Sequence, residues 1–346
     1  EDFPDLQLWS LGERSQIQSV HGFQRLLSNL CDRVYDRGII LDNELINRRE
    51  LTSQGAKARK QVLEALLLRP EQFQLGLTGY GPEVTIYGSV LALSGIHRME
   101  ADQWGIYPPL SGEKVQLKTL WDAIEDFCFG AQEETCSLAD LVEQLAQPPY
   151  GIKAGVIPIV LVAVLLYHRD TIGLYETQQF IPQLGMEHVE RLLKSPQSFA
   201  VKSFILGEIR AQLFEVLEQV LALPHRATPP TLRNVPLLRV AKPLFSFVRK
   251  LPDYTHQTQS LSTTARSVLA TLQQAQEPDI LLFSALPIAC GFPALAQACS
   301  LSPSLAFGAT GEFKTPEVIA PQVTEPQVTE PQVTEPQATE PQVTNN

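Results

Sequence analysis

The stretch from Ser137 to Leu184 constrains the fold more than any other part of the chain. Ser137 and Asp140 open SLADLVEQLAQ with Ser-x-x-Asp spacing ahead of apolar residues, a capping signature. Pro148, Pro149 and Gly151 then break the helix. KAGVIPIVLVAVLLYHRD follows, apolar on nearly every side from Val156 to Leu166. Pro158 has no N–H to donate, so it either kinks this second helix or marks its true start. IGLYETQQFIPQL reads as two short strands turning around Glu176–Gln179.

Helix, tight turn, apolar helix and hairpin, in that order, predict a winged-helix-like unit. Such units occur in DNA readers and in large regulated ATPases. A helix that reads a groove shows Arg, Asn or Gln to the bases. This one shows Val160, Leu161, Val162, Val164 and Leu165, with Lys153, His168 and Arg169 confined to its ends. The expectation is a buried core helix over Pro158–Leu166.

The rest of the chain is mostly helical in pattern. DLQLWSLGERSQIQS predicts a hairpin around Gly12 and Glu13. Val20, Phe23, Leu27, Leu30 and Val34 recur near helical spacing. LDNELINRRELTSQGAKARKQVLEALLLRP reads as two helical segments, the second ending at Pro70. GLTGYGPE is a loop, VTIYGSVLALSGIH a short helix, Ile106–Lys114 irregular and LKTLWDAIEDFCF an amphipathic helix. After the hairpin come a helix in GMEHVERLLKSP, a strand in SFAVKSFI that would suit a sheet beside the wing, and a helix in LGEIRAQLFEVLEQVLAL. Pro229 and Pro230 mark a boundary before further helix, and PDILLFSALPIACG closes the folded part. From Pro321 the chain repeats PQVTE, once as PQATE. That composition cannot bury enough apolar surface to fold and predicts an extended acidic tail. The expected fold class is mainly α: a helical array with a winged-helix-like unit and short β-hairpins. The expected divisions are 1–36, 37–130, 131–206, 207–311 and the tail 312–346.

Function classes narrow by chemistry. The acidic opening EDFPDLQLW lacks the apolar core of a signal peptide, and the run Val156–Tyr167 falls short of the ~20 residues of a membrane span. Five scattered cysteines without a CxxC suit a reducing, cytoplasmic setting. The chain opens on Glu1, not methionine, so a fragment or processed product is expected. The net charge of −11 disfavours the whole chain as a nucleic-acid binder, although five glutamates of the tail contribute much of it. GATGEFKT, from Gly308, has the wrong glycine spacing for a P-loop, and GLTGYGP lacks the following lysine. The six histidines do not pair at ligand spacing, and no G-x-S-x-G occurs. His168 suits the C-terminal end of the apolar helix through the helix dipole. Glu125 and Asp126 read as a solvated face.

Two basic stretches remain. Arg48, Arg49, Lys57, Arg59 and Lys60 lie in NRRELTSQGAKARK, where Glu44 and Arg48 are spaced for an i,i+4 pair. They are the candidate contacts for nucleic acid or a partner; an ordinary ion-paired surface is the bland alternative. Arg226, Arg233, Arg239, Lys242, Arg249 and Lys250 form the second stretch.

NELINRRELTSQGAKARKQVLEALL, GYGPE, PPYGIKAGVIPIVLVAVLLYHRDTIGLYE, LPDYTHQTQSLSTTARSVLATLQQAQEPDILLF and the closing LP-x-x-x-G, Leu286 to Gly291, are arranged in that order. Together they resemble the region that follows the ATPase module in very large bacterial P-loop ATPases of phage-defence and DNA-modification islands, BREX-like and related systems. The resemblance implies a non-catalytic regulatory or assembly region that couples nucleotide state to a DNA or protein partner. It implies no cofactor in this chain itself, with ATP and Mg entering through an upstream Walker A and B domain. The partners it implies are that upstream ATPase domain or a companion defence protein, with DNA as a further partner and no membrane. Two alternatives stand beside it: a nucleic-acid-binding module using 48–60 and 226–250, and an enzyme with an unrecognised site.

Overall fold

In the computed structural model, residues 8–10, 12–15, 17, 19–110, 117–204, 237–252, 254–255 and 260–294 are described. The expected helix of LGEIRAQLFEVLEQVLAL, the Pro229–Pro230 boundary, GATGEFKT and the PQVTE repeat lie outside them.

The architecture is mainly α, with a few short antiparallel strands. β1 (Leu8–Ser10) and β2 (Glu13–Ser15) form the first hairpin, followed by α1 (Val20–Val34). α2 (Ser53–Leu68) is capped by Thr52, whose hydroxyl accepts from the Gly55 N–H at 3.1 Å. α3 (Pro82–Tyr87) runs on through a π-helical turn at Gly88–Ala92. β3 (His97–Glu100) and β4 (Gln103–Ile106) then pair in a hairpin that the sequence pattern did not reveal. α4 (Lys118–Gly130), β5 (Cys136–Ser137) and α5 (Leu138–Ala146) follow, with the Ser137 hydroxyl accepting from the Ala139 N–H.

α6 (Ile157–Tyr167) lies within the larger core. Its Val and Ile content favours strand by propensity, but burial on every face overrides that. Ile159, Val160, Val162, Ala163 and Val164 are fully buried, and Pro158 occupies the first turn, where a missing N–H costs nothing. The expected buried helix is there. α2 and α4 pack against it.

β6 (Ile172–Glu176) and β7 (Gln179–Ile181) form the expected hairpin. Its two-residue turn places Thr177 and Gln178 at positive φ, the conformation that matches strand twist in tight hairpins. After α7 (Met186–Lys194), β8 (Phe199–Ser203) enters the sheet, whose order is β5-β8-β6-β7, antiparallel throughout. Alternate side chains serve opposite faces. Leu174 and its partner Val201 belong to a large core that runs from Leu41 to Val201. Tyr175, opposite Phe180, faces a second core with Leu238, Phe245 and Leu282. That second core is supplied by α8 (Leu237–Lys250), α9 (Thr263–Gln274) and helical pieces at Pro278–Ile280 and Leu281–Ala285. The Tyr175 hydroxyl donates to Glu277 at 3.0 Å, and Lys202 pairs with the same carboxylate at 3.1 Å. These contacts fasten the last helices to the sheet.

One expected helix is absent. Asn43–Glu50 forms turns. The Asn43 side chain accepts from the Leu45 N–H at 3.0 Å, a local bond that competes with helix. The i,i+4 pair survives within these turns, with Arg48 and Glu44 at 3.3 Å.

Candidate functional site

The turns at 43–50 are held on two helix starts. Asn43 is buried and donates to Ser89 Oγ at 2.8 Å and to the Thr85 carbonyl at 3.2 Å. Ile46 plugs the core below. The neighbouring carbonyls reach glycines: a Cβ on Gly55 would meet the Leu45 oxygen at 2.7 Å, and one on Gly155 would overlap the Ile46 oxygen. The close approach of backbones therefore requires glycine at both places. It sets Arg49 beside the start of α6.

The five basic residues singled out from the sequence go separate ways. Arg48 turns to Glu44, and Lys60 pairs with Glu190 of α7 at 2.5 Å. Lys57 projects into solvent. Arg49 and Arg59 converge on one cleft of about 380 Å³ between α2, α5, α6 and α7. Arg59 Nη1 donates to the Ala154 carbonyl at 3.3 Å, while its Nε is buried with no hydrogen-bond partner. Burial pulls the Arg59 guanidinium below its ordinary value, as it must for a cation with no acid beside it. The other walls are aliphatic: Leu51, Val142, Ile157, Leu161 and Leu193. These were not foreseen, because they come from the segment before α2 and from α5, α6 and α7, and only packing makes them neighbours. Gly155 was the one local signal.

The second basic stretch is largely used internally. Lys242 donates to the Arg169 carbonyl, and Arg249 reaches the Phe180 carbonyl at 3.4 Å. Arg239 borders a second cavity of about 760 Å³ with Trp104, Tyr107, Tyr167 and Arg169. Arg226 and Arg233 lie outside the described residues. GLTGYGP is the expected loop, with Gly79 at positive φ and Tyr80 fully in solvent.

Two of the described histidines are buried. His97 is buried; Nε2 donates to the Pro70 carbonyl at 2.9 Å, and Nδ1 accepts from the Tyr87 hydroxyl at 2.9 Å. Burial lowers its pKa, opposed by the Pro70 carbonyl, so the neutral ring fits this bonding. His168 is the C-cap of α6, as expected, but it is buried and donates to Glu125 Oε1 at 2.5 Å. The solvated reading of Glu125 is thus corrected: its carboxylate is a partly buried acceptor, while Asp126 beside it is exposed. The helical offset of adjacent residues sends the two in different directions. Among the described residues, no group of three His, Cys, Asp or Glu is placed to hold a metal ion.

Comparison with family models, with curated proteins and with solved structures yields no match for this chain.

Proposed function

We propose that the chain is a non-catalytic regulatory or assembly region of a large defence-type bacterial ATPase, acting in the cytoplasm and coupling nucleotide state to a protein or DNA partner. The observation that carries this reading is the cleft at the start of α6, where Arg49 and Arg59 converge without an acidic partner among the described residues. A partly buried cation with no acid beside it, as Arg59 is, carries a desolvation cost that an incoming anionic group offsets. The order β5, α5, α6, β6, β7 supports a winged-helix-like unit in 131–206, with β8 inserted between β5 and β6 in its sheet. Burial of α6 favours that unit as a scaffold over a groove reader. Among the described residues no helix is long and apolar enough to cross a membrane.

The coding sequence around this chain, together with co-purification, tests the proposal. A Walker A and B pair in the same reading frame, or in a neighbouring product that co-purifies, supports it. Loss of both overturns it. The nucleic-acid alternative draws on the exposed Arg48, Arg49 and Lys57. It predicts duplex binding that weakens with salt by about 0.9 in log K per log salt for each phosphate contact. Arg48→Ala with Arg49→Ala should reduce that slope by up to about 2. Undetectable binding at low salt eliminates it.

A further inference from the structure

The cleft between α2 and α6 has a lining of two unlike kinds. One is basic, Arg49 and Arg59, neither of them in an ion pair among the described residues, whereas Arg48 and Lys60 pair with Glu44 and Glu190. The Arg59 Nε is buried without a hydrogen-bond partner. Ala154, whose carbonyl takes the Arg59 Nη1, lies just before an α6 start that has no side-chain cap. The other is aliphatic: Leu51, Val142, Ile157, Leu161, Leu192 and Leu193. The volume of about 380 Å³ lies within the range of small-molecule sites, about 300–1,000 Å³. None of the described residues lining it is aromatic, so a nucleobase would have no ring to stack on. The space matches one charged head and a compact aliphatic body.

We propose that this cleft binds a carboxylate carrying a short branched aliphatic chain. The carboxylate lies between Arg49 and Arg59, and the chain lies against Ile157, Leu161 and Leu193. The assignment rests on the reading of this face as a docking site. It goes further by naming the chemistry that docks. A planar guanidinium recognises a carboxylate through paired N–H donors, and the aliphatic wall discriminates against a bare anion such as phosphate. The free C-terminal residue of a partner polypeptide, if leucine-like, and a small free acid present the same chemistry.

Calorimetric titration of the full chain tests it with four probes: 4-methylpentanoate, 4-methylpentanamide, a peptide ending in leucine with a free carboxylate, and the same peptide amidated. The expected result is that at least one acid binds and that its amide is weaker by about tenfold or more, as loss of a charge-assisted bond requires. Tighter binding of the peptide acid than of 4-methylpentanoate identifies a partner C-terminus as the source. Equal or weaker binding identifies the free acid. Arg49→Gln, at an exposed position, should lower the affinity of the bound acid without changing the circular dichroism of the chain. Arg59→Gln should abolish binding, and Arg49→Gln keeps the test open if that variant fails to fold. The proposal is overturned if neither acid binds at millimolar concentration, if acids and amides bind alike, or if Arg49→Gln leaves affinity unchanged. Failure here with an ATPase module still co-purifying removes the ligand and keeps the assembly reading. Binding without any ATPase module does the reverse.

Discussion

The carbonyl of Ile46 sits against the backbone of Gly155, so close that a Cβ there would overlap it. Gly155→Ala must therefore move the turn that carries Arg49. We expect it to lose about 1–3 kcal/mol, the usual scale of overpacking, and to weaken any ligand of the cleft. Gly88 provides the contrast: a Cβ there meets nothing within 4 Å, and its backbone is helical. Gly88→Ala should stabilise by about 0.5–1 kcal/mol through the unfolded chain. Urea unfolding of both variants checks the pair, and equal effects would contradict this geometry.

Leu165 is 6% exposed within α6. Leu165→Ala should cost about 2–5 kcal/mol, the lost transfer energy plus the cavity left behind. A change below 1 kcal/mol, read from thermal or denaturant unfolding, would show that the helix is less enclosed than its packing indicates.

Glu125 feels opposing influences. Burial pushes its carboxyl up, but the His168 hydrogen bond and the charges of His168 and Lys118 outweigh that and hold it below the usual 4.5. A depressed carboxylate stabilises the fold above its unfolded pKa and loses that contribution as pH falls through its folded value. Glu125→Gln should therefore cost about 1–3 kcal/mol at neutral pH, with the gap to the unmodified chain closing in acid. Thermal midpoints across an acid series decide it; a gap constant with pH would exclude the ionic contribution.

Lys242 gives the opposite slope. Burial pulls its amine down to about 8, aided by Arg169 and opposed by Asp170. The unfolded lysine, near 10.5, keeps its proton where the folded one has lost it, so stability rises as pH climbs from about 8 towards 10.5. Lys242→Met should flatten that rise. Tyr87, raised to about 12 by burial, works against stability above pH 10 in both proteins and cancels from the comparison. Parallel pH–stability curves for the two chains would refute the assignment.

Much of the fold follows from local pattern. α6 is buried because IPIVLVAVLL is apolar all round, and of the two places open to Pro158, a kink or the helix start, it takes the first turn. The β6–β7 hairpin, α1, α2, α4, α5 and α7 follow from periodicity in the same way. Asn43–Glu50 shows the limit of that reasoning. Its spacing is helical, but an Asn side chain bonding to its own backbone and an isoleucine drawn into the core turn the chain instead.

Residue types and their periods by themselves determined most of the helical segments, Asn43–Glu50 excepted, which helix is buried, and where the basic charge lies along the chain. Tertiary structure alone decided which of those charges meet. Arg48 and Lys60 found acids, while Arg49 and Arg59 were carried to one cleft by a turn seated on Gly55 and Gly155. It also joined Glu125 to His168, and slid β8 between β5 and β6. The physical reason is range. Periodicity records the face that each segment turns to a core, but the partner across that core comes from a distant segment, chosen by packing all of them at once.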